Sequence, residues 1–346
     1  MHHALRLHLD SAALVANWRW LQRAAGVATG AAVKADGYGL GAREVVARLG
    51  AAGCRDFFVS TWAEATALGA MPAGASLSVL HGVGPGDLVA ALASDARPVL
   101  NTPQQVARWK EVAPSRACDV MVDTGMNRLG LAPGDVELLD GLNIDTLMSH
   151  LACADEDHAM NAVQRDLFAA VAAAVGDGVG ARRFSLANSA GVCLGADFAF
   201  DLVRPGLALY GGIPRDEAAG HIAQVVFPQG EVVQRRTVRA GDSVGYGATW
   251  TATGETEVAI VNLGYADGYL RCFAGRGGAS VGGQKLPLVG RVSMDLVAID
   301  VGAARALREG DFVTLDYDLP AASAASGLSQ YELLTGLSPR FERRWV

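Results

Sequence analysis

Residues 55–68 read Arg55-Asp56-Phe57-Phe58-Val59-Ser60-Thr61-Trp62-Ala63-Glu64-Ala65-Thr66-Ala67-Leu68. The first part is a short apolar run of strand length, and the second part has the spacing of apolar side chains that an amphipathic helix shows. Similar pairs of strand and helix recur along residues 31–204. This alternation predicts parallel strands joined by crossover helices.

Eight apolar runs predict an eight-stranded parallel β/α barrel of the TIM type. The runs are Ala31–Ala35, Arg55–Ser60, Ser76–His81, Arg97–Asn101, Cys118–Asp123, Asp145–His150, Phe184–Ala187 and Asp201–Arg204. A doubly wound open sheet shows the same alternation and is the alternative architecture. Ahead of these runs, Leu5–Leu9 predicts a further strand, and Asp10 and Ser11 predict the start of a helix that Gly26 ends.

The rhythm of the chain changes near Gly220. Beyond it lie short β runs and Gly-rich turns, with no long helical pattern before Tyr331–Leu334. These runs are Glu231–Val238, Glu257–Asn262, Lys285–Val289, Val297–Val301 and Phe312–Leu315. We therefore expect two domains: a β/α barrel over residues 1–220 and a smaller, mostly β C-terminal domain over residues 221–346.

The composition excludes several classes of function. The 346 residues carry a net charge of −7, and a polyanion-binding surface needs an excess of Lys and Arg, so we expect no nucleic-acid partner. The five cysteines are scattered without a Cys-x-x-Cys pair, which predicts neither a disulfide framework nor a metal site. No long apolar segment predicts a membrane span or a signal peptide, so we expect a cytoplasmic protein.

Reactive side chains lie at or just beyond the predicted strand ends, where the active site of a barrel forms. They are Lys34, Asp123, Arg128, His150, Ser189 and Arg204. Each also has an ordinary explanation: a solvent-reaching lysine, a structural histidine, an Arg128–Asp123 ion pair, or a helix cap at Ser189. Their occurrence along one rim favours a functional interpretation.

The loops after the seventh and eighth runs suggest a phosphate-binding site. Asn188-Ser189-Ala190-Gly191 and Arg204-Pro205-Gly206-Leu207 offer a hydroxyl and small residues that let backbone N–H groups approach a ligand. A lysine amine near a phosphate site suggests imine formation with a phosphate-bearing aldehyde, which points to pyridoxal phosphate. No Gly-x-Gly-x-x-Gly follows a strand, so a dinucleotide is not expected.

These segments also resemble the signature motifs of the alanine racemase family. The motifs follow the family order over nearly the whole chain: Val33–Gly41, Val122–Gly130, Ser149-His150, Ala187–Ala190, Val203–Gly211, Val244–Trp250, Leu263–Tyr269, Gly290–Asp295 and Tyr331–Leu337. The resemblance implies a fold-type-III enzyme, with an eight-stranded barrel and a C-terminal β domain, that forms a head-to-tail homodimer. In that arrangement, the C-terminal domain of one subunit completes the active site of the other.

The resemblance also implies a two-base racemisation of alanine, which supplies D-alanine for cell-wall synthesis or serves alanine catabolism. Lys34 would carry pyridoxal phosphate and act on one face of the substrate, and Tyr246 of the partner subunit would act on the other. His150 would lie beside Tyr246. Arg204 would lie beside His150 and face the pyridine nitrogen. Because a guanidinium stays protonated, that nitrogen would gain no full proton, which disfavours transamination.

The remaining matched positions concern binding. The phosphate-binding positions are Tyr38, Ser189, Gly206, Leu207 and Tyr331. Arg128 matches a residue near the cofactor phenolate and the substrate carboxylate. Tyr265, Met294 and Asp295 match the substrate-entry and carboxylate-binding positions that the partner subunit contributes. One position departs from the pattern: Met121 stands where many relatives have a lysine, often carbamylated. Arg128 must then be held in another way, by an anion such as chloride, by another side chain or less rigidly.

Other functions remain open from the sequence. A pyridoxal-phosphate decarboxylase shares the scaffold, but the run around Tyr246 favours a racemase. A non-catalytic pyridoxal-phosphate carrier would have no use for the second domain. A racemase of serine, or of a broad range of amino acids, differs from an alanine enzyme by little more than one hydroxyl in a small cavity, where discrimination is modest.

Overall fold

The computed structural model describes residues 2–178 and 180–346. The chain divides into two compact units, one of residues 14–223 and the other of residues 224–346 together with the N-terminal residues up to Ala13. Among the described residues, no helix combines the length and the apolar character needed to cross a membrane.

A curled sheet of seven parallel strands forms the centre of residues 14–223. The strands lie side by side in chain order: Ala31–Ala32, Asp56–Val59, Ser76–Val79, Arg97–Leu100, Ala117–Met121, Asn143–Met148 and Arg183–Ser185. A doubly wound sheet grows in both directions from its first strand. The unbroken chain order therefore excludes that alternative.

The eighth predicted strand is short and lies in a separate parallel pair. Leu202–Val203 pairs with Ala28–Thr29, where the sequence predicted no strand. Two backbone hydrogen bonds lead from this region to the two edges of the seven-stranded sheet: Ala32 N–H donates to Pro205 O at 2.9 Å, and Arg204 N–H donates to Ala187 O at 2.9 Å. The prediction of parallel strands joined by helices is confirmed, and seven of the eight predicted strands lie in one sheet.

Helices connect most of these strands, as predicted. Up to residue 223 they are Ser11–Ala25, Lys34–Tyr38, Ala42–Ala52, Trp62–Leu68, Leu88–Leu92, Pro103–Val112, Met160–Gly178 and Ser189–Cys193. Short 3₁₀ turns are Pro85–Asp87, Pro133–Leu139, Ala196–Phe198, Leu207–Tyr210 and Asp216–Ala218. The first helix has the predicted limits: the Asp10 carboxylate accepts a hydrogen bond from Ala13 N–H at 2.8 Å, and Gly26 follows with a left-handed φ of 68°.

Charged side chains at the N-terminal ends of the parallel strands form a buried network. Arg97 lies 2.6 Å from Asp145 and 3.5 Å from Asp119, which is fully buried. Arg183 joins Asp145 at 2.7 Å and Asp56 at 2.8 Å. Burial raises the pKa of Asp119 to about 6, although Arg97 and a hydrogen bond from Ser78 act in the opposite direction.

An apolar cluster also packs inside this unit. Its buried members are Phe58, Val99, Met121, Met148 and Leu202, with Leu80 packed against them. Each lies within or beside one of the parallel strands. The cluster and the charged network fix the strands whose C-terminal ends carry the candidate site.

The second unit contains an antiparallel, barrel-like sheet. Val226–Val238 pairs with Thr256–Asn262 along one part and with Phe312–Leu315 along another, so the ring of strands closes. The strands after residue 223 are Val226–Val238, Ser243–Val244, Trp250–Thr251, Thr256–Asn262, Gly278–Val281, Gln284–Val289, Leu296–Asp300, Phe312–Leu315 and Glu342–Trp345. Helices Leu319–Ser326 and Gln330–Thr335 and the 3₁₀ turns Tyr246–Ala248, Tyr265–Asp267 and Arg271–Phe273 complete it.

The strand Leu5–Leu9 was correctly predicted, but its partners lie far along the chain. It pairs antiparallel with residues of Val226–Val238 and parallel with Glu342–Trp345. The first residues therefore belong to the second unit, whereas the sequence interpretation grouped them with residues up to 220. Strand order along the chain does not reveal a partner more than 200 residues away.

Candidate functional site

Lys34 lies at the start of a tight left-handed turn. The sequence interpretation placed it at the end of a strand Ala31–Ala35, and that boundary was wrong because the strand ends at Ala32. Residues 35–38 all have positive φ, between 53° and 62°. Only Gly37 adopts this conformation at little cost, and left-handed backbone at other residues costs roughly 1–3 kcal/mol each. The surrounding contacts must therefore hold the turn.

The Lys34 amine lies in a crowded, cationic setting. Burial lowers its pKa from the usual value of 10.5, Arg128 lowers it further, and Glu64 acts in the opposite direction. A lowered pKa leaves a larger share of the amine neutral and nucleophilic near neutral pH. This setting suits a lysine that condenses with an aldehyde.

Tyr38, Ser189 and Gly206 form a compact cradle. The Ser189 hydroxyl oxygen accepts hydrogen bonds from Gly206 N–H at 2.9 Å and from Ala208 N–H at 3.2 Å. A Cβ added at Gly206 would lie 2.1 Å from the Tyr38 hydroxyl oxygen, so only glycine fits there. Leu207 follows Gly206 and is buried. The Ser189 hydroxyl keeps its own proton to donate, and a hydroxyl donor beside a tight glycine turn suits a bound phosphate.

His150 lies within range of the Arg204 charge. Burial, together with the cations of Arg204, Arg128 and Lys34, lowers the pKa of His150 to about 3. Arg204 is 7% exposed and donates hydrogen bonds to Ser149 O at 2.5 Å and to the Ser185 hydroxyl. Burial lowers the pKa of Arg204 to about 10, so it remains a cation at neutral pH while His150 is neutral.

Arg128 is not held by Asp123, which was one interpretation of the sequence. The Asp123 carboxylate instead accepts a hydrogen bond from Gly125 N–H at 2.8 Å. Arg128 is exposed and forms no hydrogen bond or ion pair with any described residue of the chain. Its charge nevertheless acts on both Lys34 and His150, so its guanidinium faces the same space.

Met121 lies in the apolar cluster of Phe58, Val99, Met148 and Leu202 and is 7% exposed. Extending the strand register places Asn101 beside it, since Leu100 pairs with Val120. Asn101 donates hydrogen bonds to Leu80 O at 2.9 Å and Val99 O at 2.7 Å, while its buried Oδ1 has no hydrogen-bond partner. The surroundings of Met121 are thus apolar apart from one unsatisfied acceptor nearby.

Several predicted residues of the second unit lie in or beside one loop, Gly290–Asp295. Tyr246 is 72% exposed on a turn that packs against this loop, because a Cβ at Gly290 would meet Val244 O at 2.5 Å. Tyr265 N–H donates to Ser293 O at 3.0 Å. Met294, within the loop, is 53% exposed. The structure therefore brings Tyr246, Tyr265 and Met294 onto a common support.

Asp295 and Tyr331 belong to the same unit. Asp295 forms an ion pair with Arg340 at 2.8 Å, and Arg340 also reaches the buried Asp267 at 2.6 Å. Tyr331 is 41% exposed on the helix Gln330–Thr335. The predicted site residues thus fall into two groups: Lys34, Tyr38, Arg128, His150, Ser189, Arg204, Gly206 and Leu207 in one unit, and Tyr246, Tyr265, Met294, Asp295 and Tyr331 in the other.

Sequence reasoning missed two residues that hold this machinery. Glu64 accepts a hydrogen bond from Ala35 N–H at 2.7 Å, directly after Lys34. Arg340 joins Asp267 to Asp295. The Thr61-x-x-Glu64 spacing indicates only a capping box, and no local pattern points to Arg340. No group of metal-ligating side chains occurs among the described residues.

Comparison with known sequences gives consistent matches along the chain. A sequence profile described as "Alanine racemase, N-terminal domain" matches residues 9–214, and one described as "Alanine racemase, C-terminal domain" matches residues 225–345. The alanine racemase of Acidiphilium cryptum is 41% identical over 97% of this chain and 97% of its own length. A catabolic alanine racemase of Agrobacterium fabrum is 41% identical over 92% of this chain and 86% of its own.

Solved structures are similar over the full length. The alanine racemase of Bartonella henselae, crystallised with covalently bound pyridoxal phosphate, has a TM-score of 0.87 and 32% identity, and the match covers 100% of both chains. The alanine racemase of Streptomyces coelicolor A3(2) has a TM-score of 0.89 and 30% identity, over 99% of this chain and 98% of the other.

Proposed function

Because the chain belongs to the alanine racemase family, we propose that it interconverts L-alanine and D-alanine with pyridoxal phosphate bound to Lys34. One observation carries this proposal. Tyr38 follows Lys34 by one turn, and the Tyr38 hydroxyl lies against Gly206. There the Ser189 hydroxyl oxygen accepts hydrogen bonds from two backbone N–H groups. A nucleophilic amine and a phosphate cradle are therefore adjacent.

The residues around Lys34 fit the cofactor. Tyr38, Ser189, Gly206 and Leu207 would hold its phosphate, together with Tyr331. The Arg204 guanidinium would face the ring nitrogen without giving up its proton. When bound, the cofactor supplies an electron sink for the negative charge left on the substrate Cα.

Racemisation requires proton transfer on both faces of Cα. Lys34 serves one face, and its lowered pKa supports a base that works near neutral pH. Tyr246 of the partner subunit serves the other face. An isolated tyrosine, with a pKa of about 10, is a poor base at neutral pH. The neutral His150, beside the cationic Arg204, would accept a hydrogen bond from the tyrosine hydroxyl and hold that hydroxyl in place.

The substrate carboxylate needs a positive charge, and Arg128 supplies it. Its guanidinium has no internal ion-pair partner among the described residues and acts on Lys34. Asp295 would repel a carboxylate, and it is already paired with Arg340. We therefore assign Asp295, with Tyr265 and Met294, to control of substrate access.

The composite site implies a head-to-tail homodimer in which residues 221–346 of one subunit complete the site of the other. Exposed apolar side chains in this unit support the proposal: Tyr246, Tyr265, Met294, Leu296 and Tyr331 are each more than a third exposed. Large apolar side chains left in water favour association. We also propose that the pair of Leu202–Val203 with Ala28–Thr29 closes the curled sheet into an eight-stranded barrel.

The enzyme would supply D-alanine for cell-wall synthesis or serve alanine catabolism. Its activity is tested by incubating the purified protein with single L-amino acids and following the loss of optical rotation. Rapid loss with alanine and none with serine or lysine is expected. Loss with serine as well would indicate a broad racemase. Release of CO2, or no reaction with any amino acid, would contradict the proposal.

Cofactor attachment is tested separately. Borohydride reduction of the loaded protein, followed by peptide mapping, should place the label on Lys34. The chain contains only two other lysines, Lys110 and Lys285, which serve as internal references. Label on either of them, or on none, would contradict the assignment of Lys34.

A further inference from the structure

The Glu64 carboxylate joins the ends of two neighbouring strands. Its Oε1 accepts a hydrogen bond from Ala35 N–H at 2.7 Å. Its Oε2 accepts hydrogen bonds from Ser60 N–H at 2.6 Å and Thr61 N–H at 3.1 Å. Ala35 follows the strand Ala31–Ala32, and Ser60 follows Asp56–Val59, its direct neighbour in the sheet.

The bond to Ala35 acts on a strained segment. The peptide N–H of Ala35 comes directly after Lys34, and Ala35 is the first of the left-handed residues. Within the turn, Gly37 N–H donates to Val33 O at 2.9 Å, and the Asp36 carboxylate accepts from Ala42 N–H at 2.9 Å. Glu64 is the contact that ties the start of the turn to the neighbouring strand end.

A second helix of the same sheet shows why this residue is an acid. Gln105 occupies the equivalent position after its cap Thr102. Its Oε1 accepts from Asn101 N–H at 2.8 Å, and its Nε2 donates to His81 O at 3.1 Å. There the neighbouring strand end offers a carbonyl, which an amide matches. Beside Glu64, the neighbouring strand end offers the Ala35 N–H instead. Both side-chain oxygens must then accept hydrogen bonds, and only a carboxylate has two acceptor oxygens.

We propose that Glu64 is a positioning residue: its carboxylate holds the left-handed turn after Lys34 and so fixes the direction of the Lys34 side chain in the site. Two charged groups act on Lys34: the cation Arg128 and the acid Glu64. Lys34 in turn acts on the ionisable His150. Its negative charge raises the pKa of Lys34 against burial and Arg128. The inference rests on the proposed function only in that Lys34 is the residue that binds the cofactor.

The first test uses the cofactor-free protein and an amine-reactive label. The pH dependence of Lys34 labelling is measured by peptide mapping, with Lys110 and Lys285 as references. In Glu64→Gln, the midpoint for Lys34 should move to lower pH, because the raising charge is lost. Thr61→Ala is the matched control, since it removes the cap of the same helix at Glu64 N–H but keeps the Ala35 contact. Its midpoint should equal that of the wild type.

The second test measures pyridoxal phosphate affinity by fluorescence titration. Glu64→Gln should bind about tenfold more weakly, which corresponds to the loss of one hydrogen bond to a charged group, while Thr61→Ala should stay within about twofold. If Glu64→Gln does not fold, Glu64→Asp replaces it, because the shorter side chain keeps the charge but does not span to Ala35.

These results separate the two ideas. An unchanged Lys34 midpoint together with unchanged affinity in a folded Glu64 variant would reduce Glu64 to a helix cap and overturn the inference. Failure of the wild type to bind pyridoxal phosphate at Lys34 would overturn the proposed function instead, while the labelling profile would still report on Glu64.

Discussion

The Ser189 hydroxyl oxygen lies 2.9 Å from the backbone nitrogen of Gly206 and accepts its hydrogen bond. Both residues are buried, and the same oxygen also accepts from Ala208 N–H at 3.2 Å. One side chain therefore fixes the backbone of a turn that the Tyr38 hydroxyl approaches so closely that a Cβ at Gly206 would lie 2.1 Å from it. The shape of the proposed phosphate site depends on this close approach.

Gly206→Ala should damage the phosphate site. The new Cβ would lie 2.1 Å from the Tyr38 hydroxyl oxygen, so Tyr38, whose ring stacks on that of Tyr210 with centroids 4.6 Å apart, must shift. We expect a loss of about 1–3 kcal/mol in the free energy of unfolding and roughly tenfold weaker binding of pyridoxal phosphate. Urea unfolding and fluorescence titration measure the two effects.

Gly254→Ala is the control for this variant, because a Cβ there meets nothing within 4 Å. It should change the free energy of unfolding by less than about 0.5 kcal/mol. Normal cofactor affinity in Gly206→Ala would show that the turn does not contact the phosphate.

Met121→Lys should destabilise the protein and should not raise turnover. The new ammonium group would lie in the apolar cluster around Phe58 and Val99, where an unpaired charge costs roughly 3 kcal/mol. Met121→Leu, which conserves the volume, should cost less than about 1.5 kcal/mol. Thermal unfolding and the rate of alanine racemisation distinguish the variants. A carbamylated lysine in the mass spectrum together with a strong rise in turnover would mean that Met121 impairs the enzyme.

Asp119→Asn should alter the pH dependence of stability. Burial raises the pKa of Asp119 from 3.8 to about 6, so its contribution to stability is greatest below pH 3.8 and is lost as the pH rises through about 6. The asparagine stays neutral at every pH. The free energy of unfolding of the variant, minus that of the wild type, should therefore become more positive between about pH 4 and pH 7.

Urea unfolding at several pH values measures this difference. Asp155→Asn provides the control, since it removes the carboxylate of an exposed side chain and leaves the buried network intact. A difference that becomes more negative for Asp119→Asn as the pH rises would mean that Arg97 stabilises the Asp119 anion more than burial disfavours it.

Mixing two inactive variants should restore activity if the site is shared between subunits. In a hybrid dimer of Lys34→Ala and Tyr246→Phe, one site combines the intact Lys34 of one subunit with the intact Tyr246 of the other. After unfolding and refolding together, random pairing gives activity up to about a quarter of the wild type. Each variant refolded alone is the control. No recovery in the mixture, with dimers formed, would place both residues in one subunit's site.

Local pattern predicted much of the fold. The parallel strands were predicted because each is a short apolar run next to a helical pattern, although most of them end one to three residues earlier than predicted. The turn after Lys34 was not predictable, since three of its four left-handed residues are not glycine. Gly278–Val281 and Glu342–Trp345 were missed because small and charged side chains have weak strand preference.

The sequence predicted the individual residues of the candidate site, but it did not predict the contacts that hold them in place. Motifs indicate which residues react or bind, and they identified Lys34, Ser189 and Gly206. The contacts that hold those residues depend on pairing between distant segments, such as Glu64 with Ala35 or Asp267 with Arg340. The Thr61–Glu64 spacing was visible in the sequence. The contact of Glu64 with Ala35 was not, because it depends on how the neighbouring strand is placed.

The turn at residues 35–38 has the backbone conformation that D-amino acids adopt without strain. A semisynthetic chain with D-alanine at position 35 should therefore keep the turn and lose some of its strain. The natural L-alanine, in contrast, depends on Glu64 to hold the turn. A protein proposed to act on both mirror images of its substrate thus carries, next to its reactive lysine, a short piece of mirror-image backbone.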